Sequence, residues 1–339
     1  MDDVVLIHND PVELQSMLDI THAVASKYRI KFGKEKSKSM IIQGSTKNTD
    51  TPDKAVFKIG NQVLDEASTY KYLGITLNNT ATMTDHIENI KNKAEVSLQT
   101  IINVASNEDM RPLQMETMWK LYKGCTIPIM TYGAESWIPL KPEIAELQKK
   151  HNSMLKRILQ VPQSTPDIAI SIETCLPTIQ QIIEEQQLNY YKKQVVNETT
   201  DHTIKTPWET LMKTRMKRNN ITHENLTQSK KFKVKQMIAV AHTKERNIKA
   251  KGMSKSKEMN INNEKWTRMP WYMYKQSREQ VSAIFKLRSR MLKIKGNYPN
   301  MHTTKECRWC KAPNESFETQ AHILLECKEF KSITQKLNL

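Results

Sequence analysis

The sequence predicts an α+β fold that is mainly helical, on three observations. Glycine is scarce, with 8 residues among 339, which disfavours a loop-rich β architecture. Short alternating segments, typical of strands, lie within residues 1–78. From Thr84 onward, apolar residues recur every three or four positions, as on one face of a helix. We therefore expect a small α+β region followed by a bundle of helices.

The first region combines one helix with short strands. Asp10, Pro11 and Glu13 stand in the order of an N-cap, a first helical proline and an acidic third position. The apolar stripe of this helix is Leu14, Met17, Leu18, Val24 and Ala25. Three segments are candidate strands: residues 30–32, 40–42 and 57–63. The last of them contains Gly60-Asn61, which predicts a hairpin turn.

Four helices follow, each with one apolar face. They begin near Thr84, Pro112 and Pro142, and the fourth covers roughly residues 178–196. The apolar faces of the first three are Ile87, Ile90, Ala94, Leu98, Ile101, Ile102, Met115, Met118, Trp119, Tyr122, Ile144, Leu147, Met154, Leu155 and Ile158. Short connections between such helices predict a bundle. We expect one further helix at about residues 275–293.

The charge balance favours a polyanionic partner. Lys and Arg number 52 against 36 Asp and Glu, a formal charge of +16, and basic side chains that neutralise phosphates release counterions. The alternative is an AT-rich genome, which enriches Lys, Asn and Ile together. No apolar run approaches about 18 residues, and no signal peptide is apparent, so we expect no membrane partner. Five unevenly placed cysteines indicate a reducing intracellular compartment, nucleus or cytoplasm.

One stretch concentrates the positive charge. Between Lys230 and Lys257 there are ten Lys or Arg residues and one acid, Glu245. The stretch is either a linker or a basic helix with a thin apolar edge of Met237, Ile238, Val240 and Ala241. The candidate phosphate contacts are Lys230, Lys231, Lys233 and Lys235. The alternative is a solvated charge run that binds nothing.

The C-terminal cysteines have the spacing of a zinc site. Cys307 and Cys310 form a Cys-x2-Cys pair, and His322 and Cys327 follow five residues apart in a helix-compatible apolar run. Two residues five apart can bind one ion where a helix ends or loosens. Four N and S ligands fill the tetrahedral shell of Zn²⁺, so the ion would be structural, without an open catalytic position. The alternative is three free thiols and an ordinary histidine.

Two carboxylates stand at the start of the chain. Asp2 and Asp3 precede the β-branched run at residues 4–7. Adjacent carboxylates at a strand end can hold Mg²⁺ together with substrate phosphates. The alternative is a solvated acidic start.

Together these segments resemble the C-terminal part of the reverse transcriptase of non-LTR, LINE-type retrotransposons. Residues 1–7 look like the end of the palm motif aromatic-x-Asp-Asp and its outgoing strand. Residues 30–40 are similar to the next palm segment, with Gly33 where Asn is usual and Lys34 where Pro is usual. The remaining matches are the hairpin signature Tyr70-Lys71-Tyr72-Leu73-Gly74-Ile75, a thumb-like segment over residues 121–137, and the terminal cysteine and histidine cluster.

The resemblance implies a domain division and a set of sites. It implies a palm remnant at 1–45, a primer-grip-like hairpin region at 46–80, a helical thumb at 81–200, a basic linker or helix at 201–265, and a helix with the zinc element at 266–339. It also implies that Tyr72, Leu73 and Gly74 contact nucleic acid. Within such a thumb, we expect Trp119, Tyr132 and Trp137 to be core residues rather than stacking platforms. Cys175 stands where many relatives carry Gly.

The family copies RNA into DNA with two Mg²⁺ ions. Asp2 would be a metal ligand with Asp3 beside it, but no residue of this sequence matches the other metal-binding aspartate, on an earlier palm strand. We therefore expect an incomplete polymerase, inactive alone, that needs Mg²⁺ only when complete and binds an RNA template and a DNA primer or target DNA. Two alternatives are a non-enzymatic nucleic-acid-binding zinc protein derived from a retroelement, and a pseudogene product. The sequence does not predict the oligomeric state.

Overall fold

The computed structural model describes residues 3–33, 35–42, 55–106, 113–196, 206–228, 231–252, 269–298, 304, 306–311 and 317–330. The chain forms two compact units. The first combines Met1–Lys93 with Tyr132–Leu147, and the second combines Ala94–Thr131 with Gln148–Leu339. The predicted class is confirmed, since the described residues are mainly helical with a few short strands. None of these helices is long and apolar enough to cross a membrane.

The helices are α1 (Pro11–Lys27), α2 (Thr84–Ala105), α3 (Met115–Leu121), α4 (Ile127–Met130), α5 (Lys141–Ile158), α6 (Asp167–Thr174), α7 (Ile179–Val196), α8 (Pro207–Arg218), α9 (His223–Gln228), α10 (Lys231–Lys251), α11 (Tyr272–Lys275) and α12 (Arg278–Arg288). Two π-helical turns cover Tyr122–Thr126 and His322–Glu326, and a 3₁₀ turn covers Lys295–Asn297. The strands are β1 (Lys38–Ser39), β2 (Lys58–Ile59), β3 (Gln62–Val63), β4 (Asp65–Glu66), β5 (Thr69–Tyr72) and β6 (Ile75–Asn78).

Helix α1 begins as the sequence predicts. The Asp10 carboxylate accepts a 2.8 Å hydrogen bond from the backbone N–H of Val12, which caps the helix. Leu18 of this helix packs in a small core with Phe57, Ile59 and Leu64. The predicted apolar stripe is wrong at Val24, which is 52% exposed, whereas Ala25 beside it is buried.

The strand predictions are confirmed for one segment and wrong for two. The hairpin at residues 57–63 forms from β2 and β3, with Gly60 in the turn at φ 58°. Residues 30–32 and 40–42 are not strands; the short strand β1 lies between them and pairs in parallel with β4. Phe32 explains the first error, because its ring packs against the Leu18 core without backbone pairing. An apolar residue indicates burial, and in a short segment it does not indicate a strand partner.

The predicted helical faces contribute to the core of the second unit. Their almost fully buried members there are Leu98, Met115, Met118, Met154, Leu155 and Ile158. Pro112 lies outside the described residues, and α3 begins at Met115. Helix α12 is shorter than predicted, and its start is fixed at Ser277, whose hydroxyl and backbone form a capping box with Gln280.

The C-terminal helices α11 and α12 pack on the bundle of the second unit. The Trp119 indole N–H donates to the backbone carbonyl of Met273 at 2.7 Å. The Arg278 guanidinium donates to the carbonyls of Ile158 and Arg157 at 2.9 and 2.8 Å. These bonds connect residues more than 100 positions apart in the chain, so α11 and α12 belong to the same compact unit as the bundle.

Helices α7 to α10 share an apolar core of their own. Its buried members are Leu188, Tyr191, Met212, Met216, Ile221, Leu226, Val234 and Ile238. The basic stretch is therefore a packed helix over Lys231–Lys251, which is one of the two alternatives that the sequence left open. Its buried edge contains Val234 in addition to the predicted Ile238, whereas Val240 is 56% exposed.

A buried histidine gives the fold an expected dependence on pH. His151 Nδ1 lies 2.8 Å from the hydroxyl of Tyr122, and burial lowers the pKa of His151 from 6.5 to about 4. Below pH 6.5 the unfolded chain binds a proton that the folded chain excludes. The free energy of unfolding therefore decreases as the pH is lowered. From pH 6.5 to 4 the loss is about 3 kcal/mol, at 1.36 kcal/mol per pKa unit.

Urea unfolding at pH 7.5 and pH 5 should show about 2 kcal/mol of this loss, because pH 5 lies 1.5 units below 6.5. The His151→Gln variant should be much less sensitive to pH than the wild type. Burial also lowers the pKa of His86, so a smaller dependence of the same sign should remain. The matched control is His8→Gln at an exposed histidine, which should keep the wild-type dependence. Equal pH dependence in the wild type and His151→Gln would contradict the prediction.

Candidate functional site

A tight turn presents the first two candidate ligands. Cys307 is 1% exposed, and its carbonyl accepts a 3.2 Å hydrogen bond from the N–H of Lys311, which closes the loop around Cys310. Lys311 has φ 47°, a left-handed conformation that lets the chain turn sharply after the second cysteine. The turn places the two thiols on one side of the loop.

A π-helical turn presents the other two. The N–H of Cys327 donates to the carbonyl of His322 at 2.7 Å, a bond across five residues. An α-helix bonds across four residues, so a π-turn brings residues five apart closer to the same face. This geometry is the local loosening that the five-residue spacing predicts. His322 and Cys327 are both buried.

The four side chains converge with the dimensions of a tetrahedral site. One donor atom from each lies within 4.8 Å of every other. The Sγ atoms of Cys307 and Cys327 are 3.9 Å apart, and Cys310 Sγ lies 3.3 Å from His322 Nε2. Zn–S bonds of about 2.3 Å and Zn–N bonds of about 2.1 Å give tetrahedral edges of roughly 3.5 to 3.8 Å. The group could therefore hold a zinc ion.

Two carboxylates support this arrangement. Glu318, fully buried, accepts hydrogen bonds from Arg308 Nε at 2.9 Å and from the backbone N–H of Lys295 at 3.1 Å. Burial alone would raise the pKa of Glu318, but the bonds from Arg308 hold it below its ordinary value. Glu326 lies 3.4 Å from His322 Nδ1, where a carboxylate can orient the imidazole and leave Nε2 for a metal.

The candidate catalytic pair is not assembled into a metal site within the described residues. Asp2 lies outside them. Asp3 is exposed and lies outside any helix or strand. In the described part of the chain, the Cys307 group is the one set of three or more His, Cys, Asp or Glu side chains close enough to hold a metal ion. The Mg²⁺ role of Asp2 and Asp3 therefore stays a prediction.

The Tyr72-Leu73-Gly74 signature forms the tip of the hairpin β5–β6. Leu73 and Gly74 both have positive φ, 46° and 84°, as in the tight turns that match strand twist. A Cβ on Gly74 would lie 2.8 Å from the Tyr132 ring, so this position requires glycine. The Tyr132 hydroxyl donates to the Leu73 carbonyl at 3.2 Å. Leu73 is 47% exposed at the tip, open to a partner.

The expectation for the three aromatic residues is confirmed for two. Trp119 and Trp137 are core residues, 3% and 2% exposed. For Tyr132 the prediction is wrong, since it is 54% exposed. Its ring packs against Gly74 of the hairpin turn on the protein surface, so the contact leaves the other side of the ring exposed.

The candidate lysines lie at the start of α10. Lys230 and the side chain of Lys231 lie outside the described residues. Lys233 and Lys235 are exposed, and Lys235 Nζ lies 3.6 Å from Glu185. The sequence analysis did not identify Lys213 and Lys217 as candidates. Both are exposed on α8, a helix that packs in the same apolar core as α10. Their spacing of four residues is the signal that could have indicated a basic helical face.

Comparison with known proteins finds a distant similarity. The chain is 24% identical over 146 residues to a Drosophila melanogaster protein described as "Probable RNA-directed DNA polymerase from transposon BS". The match covers 43% of this chain and 16% of that protein. No protein-family profile matches the chain, and no solved structure matches it. The match confirms, as a distant relationship, the predicted resemblance to retrotransposon reverse transcriptases.

Proposed function

We propose that this chain, a distant relative of transposon RNA-directed DNA polymerases, binds an RNA template and a DNA primer or target DNA. The observation that carries the proposal is the 24% identity to the Drosophila protein. The bundle and the basic helix would serve as the thumb-like contact surface, and the C-terminal element would hold a structural Zn²⁺. The net charge of +16 supports a polyanionic partner.

The exposed lysines of α8 and α10 support phosphate binding. Lys213, Lys217, Lys233 and Lys235 are exposed on helices that share one apolar core. The core fixes the helices, so the lysines are displayed by packed elements. Contacts of lysine with phosphates carry no base readout, so sequence preference should be slight.

Salt titration tests this proposal. Replacement of Lys230, Lys231, Lys233 and Lys235 by Ala should lower the slope of log affinity against log salt by about 0.7 to 0.9 for each phosphate that the variant no longer neutralises. Single-stranded RNA and duplex DNA are titrated into each protein at several salt concentrations. The four Lys→Arg replacements are the control, because they keep the charge and should keep the slope. If the alanine variant retains the wild-type slope, α10 does not contact phosphates.

We further propose that the chain does not extend a primer by itself. Two-metal catalysis needs carboxylates from more than one strand. Asp2 and Asp3 supply carboxylates from one strand end. Primed RNA, deoxynucleotides and Mg²⁺ should give no extension. Extension that the Asp2→Ala variant abolishes would overturn this.

The second candidate function is a non-enzymatic nucleic-acid-binding zinc protein. It is favoured because the candidate metal-binding group of the described residues is made of Cys and His.

A further inference from the structure

The π-turn between α3 and α4 exposes a small, basic segment of helix. Its ends, Tyr122 and Thr126, are fully buried, whereas Lys123, Gly124 and Cys125 between them face solvent. The turn is closed by the N–H of Ile127, which donates to the carbonyl of Tyr122. Single π-turns within helices occur frequently at functional sites.

Pro128 favours the π-turn, and hydrogen bonds of the buried residues Tyr122 and Thr126 hold it in place. Pro128 has no N–H to donate to the carbonyl of Gly124, and its ring crowds that carbonyl, so a regular α-turn is disfavoured. Underneath, the Tyr122 hydroxyl bonds to His151 at 2.8 Å, and the Thr126 hydroxyl lies 3.0 Å from that of Ser97. The exposed segment is therefore held at both ends by hydrogen bonds from the buried residues Tyr122 and Thr126.

Gly124 is not required by the fold. A Cβ placed on it would meet no atom within 4 Å, and its φ is not in the left-handed region. Glycine is less favourable than alanine inside a helix because it loses more backbone freedom on folding. The absence of a side chain here opens the backbone to something outside the chain. Glycine is the residue that permits such a close approach.

We propose that the segment Lys123–Cys125 is a close-contact surface on which the sugar–phosphate backbone of a nucleic acid lies against the helix. The proposal deepens the proposed function and rests on it. The positive charge around the segment favours a nucleic-acid backbone as the partner. Lys123 is exposed beside Gly124, and Lys120, one turn earlier, adds a second ammonium group that is 73% exposed, although its Nζ lies 2.7 Å from Glu116. A cationic flank around a bare backbone fits a phosphate chain.

The test separates contact from charge. Gly124→Ala should weaken binding of single-stranded RNA or duplex DNA about threefold and Gly124→Leu about tenfold, with the salt slope unchanged, because a side chain holds the backbone away without removing a charge. Lys123→Ala should instead lower the slope by about 0.7 to 0.9. Gly124→Ala should also raise the melting temperature, by about 2 °C, because alanine favours the helix. Ala145→Leu, at an exposed position of α5, is the control for added bulk.

The outcomes are distinct. Weaker binding by a Gly124→Ala protein that is at least as stable as the wild type supports the proposal. Wild-type affinity in both Gly124 variants, while the wild type binds with a steep salt dependence, overturns it and leaves the proposed function standing. If the wild type binds neither RNA nor DNA, both fail. If Gly124→Leu alone loses stability, the alanine variant decides.

Discussion

Replacing Cys310 by serine should remove one bound zinc ion and unfold the C-terminal element of the chain. Zn²⁺ bound by Cys and His contributes about 10 kcal/mol or more to the folding of small metal-binding elements. Among the described residues of 295–330, the buried apolar side chains are those of the candidate ligands Cys307 and Cys327. Native mass spectrometry of the full chain should show one metal in the wild type and none in Cys310→Ser. Limited proteolysis should cut residues 295–330 faster in the variant.

The control is Cys125→Ser, at an exposed cysteine outside the group, which should keep the metal. His322→Ala should also weaken binding, and Glu326→Gln, which changes only the carboxylate beside His322 Nδ1, should reduce affinity by about 10-fold. An unchanged metal count in Cys310→Ser would refute the assignment. Chelation of the wild type should reproduce the proteolysis pattern of the serine variant, because metal binding and folding are coupled.

Replacing Glu184 by alanine should lower the free energy of unfolding by about 3 kcal/mol, since it removes a buried carboxylate that accepts several hydrogen bonds. Glu184 is 1% exposed. Its carboxylate accepts hydrogen bonds from Asn219 at 2.9 Å and Arg218 at 3.2 Å, and lies 3.0 Å from His242 Nε2. These residues belong to α8 or its C-terminal cap and to α10, so the variant should also loosen the basic helix. Urea unfolding and amide hydrogen exchange over residues 231–251 measure the two effects.

The neighbouring Glu185 provides a matched control. Its contact with Lys235 is a long surface pair at 3.6 Å, so Glu185→Ala should change stability by less than about 1 kcal/mol. Equal losses in the two variants would contradict the role of Glu184.

Burial alone would raise the pKa of Glu184, but the hydrogen bond from His242 holds that pKa below its ordinary 4.5. The contribution of Glu184 is therefore present above pH 4.5 and is lost as pH falls through the lowered value.

The amino-acid sequence by itself determined the features that depend on local chemistry. Helix α1 begins at its Asp10 cap because side chain and backbone lie two residues apart. The buried faces of α2, α3 and α5 follow the helical period. The Cys307 group was predictable from its short spacings, and the hairpin at Leu73-Gly74 from the resemblance to reverse transcriptases.

Only the tertiary structure decided what distant residues do to one another. The basic stretch could be a linker or a helix, and contacts of Val234 and Ile238 with α7, α8 and α9 made it a helix. The short apolar segment around Phe32 became core without pairing as a strand. No local pattern marks Glu184 or Glu318, because their partners are brought by folding. Sequence periodicity specifies which side chains are buried, whereas the partner of each buried group depends on how the whole chain packs.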